Sequence, residues 1–257
     1  MIPSLRQAVL LPSVRDPDAR DYIRRVEAAD GQSLEPSVQR AIDAFVRGCK
    51  ADGIWNAIKA SCILAGARTL SGALVPLVGT APTNNNFVSG DYNRRTGLLG
   101  DGSTKYLSSN RNNNADTQNN KHLSAFVTTK PTLTGRDIIS SGSGSGHSRL
   151  TGSTSDSLAA TINTSVQYVG SSAVVNFIGA TRDSSAEFRV RENGQTSTVT
   201  AVSSTTQNAV ISVFNRASAS NYTDARIAFY SIGQSLGLGL LDARVTDLMN
   251  AIGAALP

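Results

Sequence analysis

The sequence predicts a mostly β chain: an antiparallel β-sandwich preceded by a small α-helical unit and closed by a C-terminal helix. Three observations carry this. Apolar residues recur at helical spacing between Asp18 and Cys49, and again from Leu241 to Ala255. From Phe87 onward the apolar period changes to two, in short runs separated by clusters of Gly, Ser, Asn and Asp. Asn193-Gly194 stands between Phe188/Val190 and Thr198/Val199, which is the signal of a type I′ hairpin.

The elements follow in order. Residues 1 to 15 read as an extended arm, because Pro3 and Pro12 break any helix there and Pro17 biases Asp16 toward extended backbone. Asp18 to Ala29 is a helix with Ala19, Tyr22, Ile23 and Val26 on one stripe, ended by Asp30-Gly31. Ser33 is the candidate cap of a second helix, with Pro36 in its first turn and a stripe of Val38, Ile42, Phe45, Val46 and Cys49. A third helix is expected after Gly53, carrying Ile54, Trp55, Ile58 and Cys62, with Trp55 packed where the helices meet. Thr69 caps a short fourth helix that Pro76 stops. The run GTAPTNNN, Gly79 to Asn86, is a hinge of turn formers. It separates an arm-plus-helical docking unit, 1–82, from a sandwich with its terminal helix, 83–257.

Within the sandwich, Thr96 to Leu99 and Tyr106-Leu107 are short pairing runs around the turns Ser89-Gly90-Asp91 and Gly100-Asp101-Gly102. Ser108 to Asn120 is Asn-rich and reads as a loop of several turns. His122 to Thr128 is a strand with Leu123, Ala125 and Val127 on one face, and Asp137 to Ile139 starts another. Ser140 to Ser148 reads as a flexible Gly/Ser loop; it lacks the GK[ST] ending of a phosphate-binding loop. Further strands are expected at 158–163, 165–169, 174–178, 186–191, 196–202, 209–214 and 226–232. The last helix carries Leu241, Val245, Leu248, Met249 and Ile252 on one side.

Totals bound the function. The 257 residues carry a net charge of +5 from 24 basic and 19 acidic side chains, with no basic run beyond Arg24-Arg25 and Arg94-Arg95. Aromatics make up 5% of the chain, so a basic stripe with stacking aromatics is missing and no nucleic-acid partner is expected. Cys49 and Cys62 have no metal-ligand spacing and read as small buried apolar residues, with a bridge between neighbouring helices as the alternative. No apolar run is long enough to span a membrane, and the N-terminus makes a poor signal peptide. A soluble chain made in a cytoplasm is expected.

Several segments together resemble one family. FVSGDYNRRTGLLGDGSTKYL (Phe87 to Leu107), followed by an Asn-rich stretch and HLSAFVTT, is similar to laminin-G-like and concanavalin-A-like jelly rolls found at the end of some bacteriophage virion proteins. DPDARDYIRRVEAADG and GIWNAIKASCILAGARTL resemble the helical lead-in of those proteins, and RIAFYSIGQSL their last strand and turn. The resemblance implies a non-enzymatic virion structural protein of tail, fibre or capsid-decorating type, made in the host cytoplasm. Its helical unit would dock on other virion proteins and sister subunits as a homo-oligomer, with the jelly roll facing outward. A host-surface carbohydrate is the further partner, in the alternative reading of a receptor adhesin; a polysaccharide-degrading enzyme ranks below both.

The chemistry those readings require can be checked against the residues. Glycoside hydrolysis needs two carboxylates facing one bond. The four glutamates are Glu27 and Glu35 in the helical part and Glu187 and Glu192 on one strand, an odd number apart and so on opposite faces. His122 and His147 lack a nucleophile motif. Asp91, Asp101 and Asp116 sit in loops of the kind that hold calcium in concanavalin-like folds, but without a ladder of oxygen ligands. Tyr92, Tyr106, Tyr168, Tyr222 and Tyr230 are the candidates for stacking on a sugar. No catalytic, cofactor-binding or metal-binding residue is nominated, and no cofactor is expected.

Overall fold

A computed structural model of the chain describes residues 14, 16–153, 157–170, 174–216 and 220–256. The expected N-terminal arm lies outside the described residues except for Val14. Helix α1 spans Pro17–Asp30; the Asp16 carboxylate accepts the N–H groups of Asp18 and Ala19, and Gly31 closes the helix in the left-handed region. Helix α2 spans Pro36–Ala51, with Pro36 at its start as expected. Its cap position is Glu35, not Ser33, and the Glu35 side chain bonds arginines instead of the helix. Both predicted stripes are buried.

The expected third helix is not there. After a single 3-10 turn at Trp55–Ala57 the chain forms strand β1, Ile58–Ile63. It pairs antiparallel with a strand near the C-terminus, Ala60 opposite Ile232 and Cys62 opposite Tyr230. Five of its six residues are buried, because both of its faces are covered, and a doubly covered strand has no period-two signature to distinguish it from a helix. Helix α3, Leu70–Ala73, is capped by Thr69 as expected.

The remaining strands are β2 (Thr83–Asn85), β3 (Tyr92–Asn93), β4 (Gly97–Leu99), β5 (Tyr106–Asn112), β6 (Lys121–Thr129), β7 (Arg136–Ser140), β8 (Ser148–Gly152) and β9 (Leu158–Ile162). They continue as β10 (Tyr168–Val169), β11 (Asn176–Arg182), β12 (Glu187–Glu192), β13 (Gln195–Thr200), β14 (Val210–Val213) and β15 (Arg226–Gly233), before helix α4 (Leu238–Ala255). Two antiparallel sheets result. The first runs β13-β12-β11-β6-β15-β4-β3, with β1 also on β15; the second runs β10-β9-β8-β7-β14-β5-β2. Asn193 and Gly194 both have positive φ and link Glu192 to its partner Gln195, which is the predicted two-residue hairpin. The Asn-rich stretch is a strand as far as Asn112, held between β14 and β2. Local turn propensity is overridden there by ladder bonds on both sides.

The sheets enclose one core of Leu107, Leu123, Ala125, Val127, Leu150, Ile178, Val190, Val213 and Ile232. Leu123, Ala125 and Val127 thus share the inner face, as the alternation predicts. A second core lies on the other side of the first sheet, where α1, α2 and α4 cover Phe126, Phe177 and Phe229. Residues from both sides of position 82 share this core. A cross-strand row of small side chains, Ser61–Ser231–Ser124–Gly179, lets the helices approach, and Leu238 of α4 sits over Gly179. The molecule is therefore three layers: helices, first sheet, second sheet. Among the described residues, no helix is long and apolar enough to cross a membrane.

Candidate functional site

The residues nominated by chemistry are spread apart, and most are engaged by other groups of the chain. Glu27 accepts the Leu34 N–H and the Gln39 amide, each at 2.9 Å. Glu35 pairs with Arg94 and Arg68, and the Arg94 bond, outweighing partial burial, holds its pKa below the usual range. Glu192 is buried in the sandwich and accepts the Tyr168 hydroxyl at 2.9 Å, while Glu187 points to the opposite face. Asp91 pairs with Lys105 at 2.6 Å and Asp116 with Arg111 at 2.5 Å. At Asp101 burial would raise the pKa, but hydrogen bonds from Thr104, Lys105 and Ser103 outweigh it and hold the carboxylate well below its usual range. Among the described residues, no three His, Cys, Asp or Glu side chains group to hold a metal ion.

His122 lies between the helices and the first sheet, fully buried. Its Nδ1 donates to the Gln234 carbonyl and its Nε2 accepts from the Ser231 hydroxyl at 2.7 Å. Burial pushes its pKa down to about 4. Cys49 and Cys62 are buried free thiols, each pushed up to about 12 by burial. Trp55 packs at the edge of the helical core, half-buried, with the Lys50 ammonium 5.7 Å from its ring centroid. Tyr230 is buried and Tyr92 donates its hydroxyl to the Ala67 carbonyl at 2.8 Å, so neither presents a face to a ligand.

The outer face of the second sheet differs. Pairing places Thr83, Ser108, Ser212, Ser140, Arg149 and Thr161 in one row across six strands, all on the side away from the core. The Gly/Ser loop, 141–147, folds over part of this face and is tied down. Gln207 donates to the carbonyls of Ser143 and Ser145 at 2.8 and 2.9 Å, and Asn113 to that of Gly146 at 2.9 Å. His147 donates through Nδ1 to the Gly144 carbonyl and accepts from Thr161 at 3.0 Å. Gly146 has φ +76°, and a Cβ there would run into the Thr205 carbonyl, so the loop seats only because this position has no side chain. The stretch that reads as flexible is therefore a fixed wall.

Between this wall and β5 lies a groove of about 530 Å³, lined by Tyr106, Ser108, Ser143, Gln207, Ser212 and Asn215 among others. Tyr106 meets Tyr222 edge-on at 6.1 Å, which fixes the ring at the groove wall. Asn215 is 1% exposed, and its buried Oδ1 has no hydrogen-bond donor among the described residues. A buried acceptor without a donor is costly, roughly 1–3 kcal/mol. The groove combines an aromatic wall, hydroxyls and a primary amide, the chemistry that matches a polyhydroxylated ligand. Of the five tyrosines nominated from sequence, the structure brings Tyr106 and Tyr222 together here. Asn215 and Gln207 carried no sequence signal; only the sheet order brings them to the same place.

The sequence matches no protein-family model and no curated protein. Its fold is similar to that of the botulinum neurotoxin serotype D binding domain, at 11% identity over 78% of this chain and 52% of that one, with a TM-score of 0.53. The binding domain of botulinum neurotoxin serotype D/C VPI 5993 matches at 16% identity over 77% and 52%, with a TM-score of 0.50. A looser likeness is to the Ruminococcus gnavus IT-sialidase CBM40, at 14% identity over 51% of this chain and 84% of that one, with a TM-score of 0.41. The chain spans about half the length of the toxin domains it matches, and the likeness is one of fold.

Proposed function

We propose that the chain is a non-enzymatic carbohydrate-binding module that takes a glycan in the groove beside Tyr106. The observation that carries this is the groove wall itself, where Tyr106 offers an aromatic face beside the Ser108 and Ser143 hydroxyls and the Gln207 side chain, so that a sugar ring stacks its apolar C–H face while its hydroxyls meet polar groups. The carboxylates engaged in ion pairs and turns favour binding over hydrolysis. The sandwich shared with toxin binding domains is a scaffold compatible with this role. The resemblance to phage virion proteins supplies a setting: the helical layer would meet neighbouring subunits, and the open sheet would face a host surface as an adhesin.

Affinity electrophoresis in gels containing soluble bacterial surface polysaccharides tests it. The protein should be retarded by at least one of them, and Tyr106→Ala and Ser108→Ala should each weaken binding by about tenfold, or about 1.4 kcal/mol. Retardation that neither substitution changes would remove the groove from the mechanism. Gold-labelled antibody on purified virions tests the setting, with label at the tail or fibres expected of an adhesin.

A further inference from the structure

We propose that the free edge of β13 pairs with the same edge of a second copy, joining two first sheets into one antiparallel sheet about a two-fold axis at Thr198; this goes beyond the glycan reading and does not rest on it. The sheet edges are defended unequally. β10 and β3 are two residues long and β2 is three, too short to template another strand. β1 is bridged on its far side, Ser61 to Val78. β13 ends the first sheet with six residues, QTSTVT, in unbroken register with β12. It holds no Lys, no Pro, no charge and no bulge, the devices that keep an edge from pairing.

The hairpin fixes where its backbone groups point. A two-residue loop makes Glu192–Gln195 a hydrogen-bonded pair, and every second pair beyond it bonds likewise. The Ala201 N–H, 2.8 Å from the Ala186 carbonyl, continues that alternation. Gln195, Ser197 and Val199 therefore bond β12, while Thr196, Thr198 and Thr200 turn their N–H and C=O outward. All three threonines are exposed, and among the described residues no backbone group bonds their outward side.

A copy of the same strand fits this edge. With Thr198 opposite the partner's Thr198, Thr196 stands opposite the partner's Thr200, and Thr200 opposite the partner's Thr196. Each such pair exchanges two backbone hydrogen bonds. The hydroxyls meet as Thr–Thr pairs, a favourable cross-strand match. Charge follows the same symmetry. Arg191 donates to the Thr196 hydroxyl at 3.1 Å, and Glu187 is the β12 neighbour of Thr200. Each outer row thus runs from Arg191 through two threonines to the partner's Glu187. In the central row Arg189 is paired with Asp183 of its own copy, so like charges are not opposed. The register also brings Val202, 76% exposed, to the partner's Asn193-Gly194 turn.

The test is sedimentation velocity of the full chain over a dilution series, with amide hydrogen exchange read by NMR. A concentration-dependent dimer is expected, in which the Thr196, Thr198 and Thr200 amides exchange more slowly than in the dilute monomer. Thr198→Pro removes one outward donor and leaves the ladder to β12 intact. Thr198→Lys sets two like charges together at the axis. Each should weaken association by at least about tenfold. Thr198→Cys should cross-link two chains on mild oxidation, because Cα atoms of such a pair lie about 5.5 Å apart. A monomer at every concentration would overturn the pairing in favour of a strand from another protein or none. A dimer that both Thr198→Pro and Thr198→Lys leave unchanged, with fast exchange at these amides, would put the contact on another surface and overturn it as well. Neither result bears on glycan binding at the groove.

Discussion

The two sheets of this sandwich have outer faces of opposite character. On the first, Phe126, Phe177 and Phe229 and a row of small residues lie under three helices. On the second, hydroxyls and an arginine form the corresponding row, with a Gly/Ser loop laid over part of it. Both sheets share one inner core. The first sheet's outer face thus serves cohesion, and the second sheet's is the one we propose for contact with a ligand. The contrast is written in side-chain size: large apolar groups are covered by helices, whereas the small polar row is covered in part by a hydrogen-bonded loop, with Ser140, Thr161 and Ser212 buried.

The contrast breaks most clearly at Phe229. Its side chain is fully buried and meets Phe45 edge-on at 5.8 Å, tying helix α2 to the first sheet. Phe229→Ala should cost about 3–5 kcal/mol in urea unfolding, with little change in the slope of the transition. A cost below about 1 kcal/mol would mean that the helical layer is only loosely seated.

His122 gives the next largest effect, again on the covered face. Its folded pKa of about 4 lies below the ordinary 6.5. Between those values the unfolded chain binds more protons, so this contribution is complete above pH 6.5 and is lost as pH falls toward 4. The shift corresponds to about 3 kcal/mol. Urea midpoints of the protein and of His122→Gln, compared at pH 7 and pH 4.5, should show a smaller pH dependence in the variant. Parallel pH dependence would assign acid sensitivity to other groups.

The open face should give the smallest stability change. Tyr106→Ala is expected to lower stability by about 1 kcal/mol or less, since the ring lines an open groove and its partner Tyr222 also lies at the surface. Differential scanning calorimetry alongside the binding assay separates the two roles. A loss comparable to Phe229→Ala would make Tyr106 a core residue and weaken its assignment as a contact.

The fold class was legible because alternation and turn chemistry are local. The Asn193-Gly194 hairpin, the stripes of α1 and α2 and the inner face of β6 all appear within a few residues of sequence. The failures have one physical source. β1 lies beneath helices on one side and above the sandwich core on the other, so its apolar run carries no period and mimics a helix. β5 looks like a loop because its outward residues are Ser and Asn, and ladder bonds to β14 and β2 override that preference. The candidate site was half legible: aromatic residues mark themselves, and Tyr106 and Tyr222 did. Asn215 and Gln207 come from distant segments and gain meaning only when sheet order places them on one face.

Strand β15 has a consequence for how the chain is made. It supplies the partner for β1, β4 and β6, which are synthesised about a hundred residues or more, and for β1 about 170 residues, earlier. Until residue 233 has left the ribosome, those strands wait with unpaired edges, and the phenylalanines of the first sheet have nothing complete to pack against. Assembly of the first sheet is therefore gated by the synthesis of β15 rather than advancing strand by strand. A nascent chain stalled before residue 226 holds α1 to α3 and nearly all the strands, yet lacks both the strand that joins them and the helix α4 that covers it.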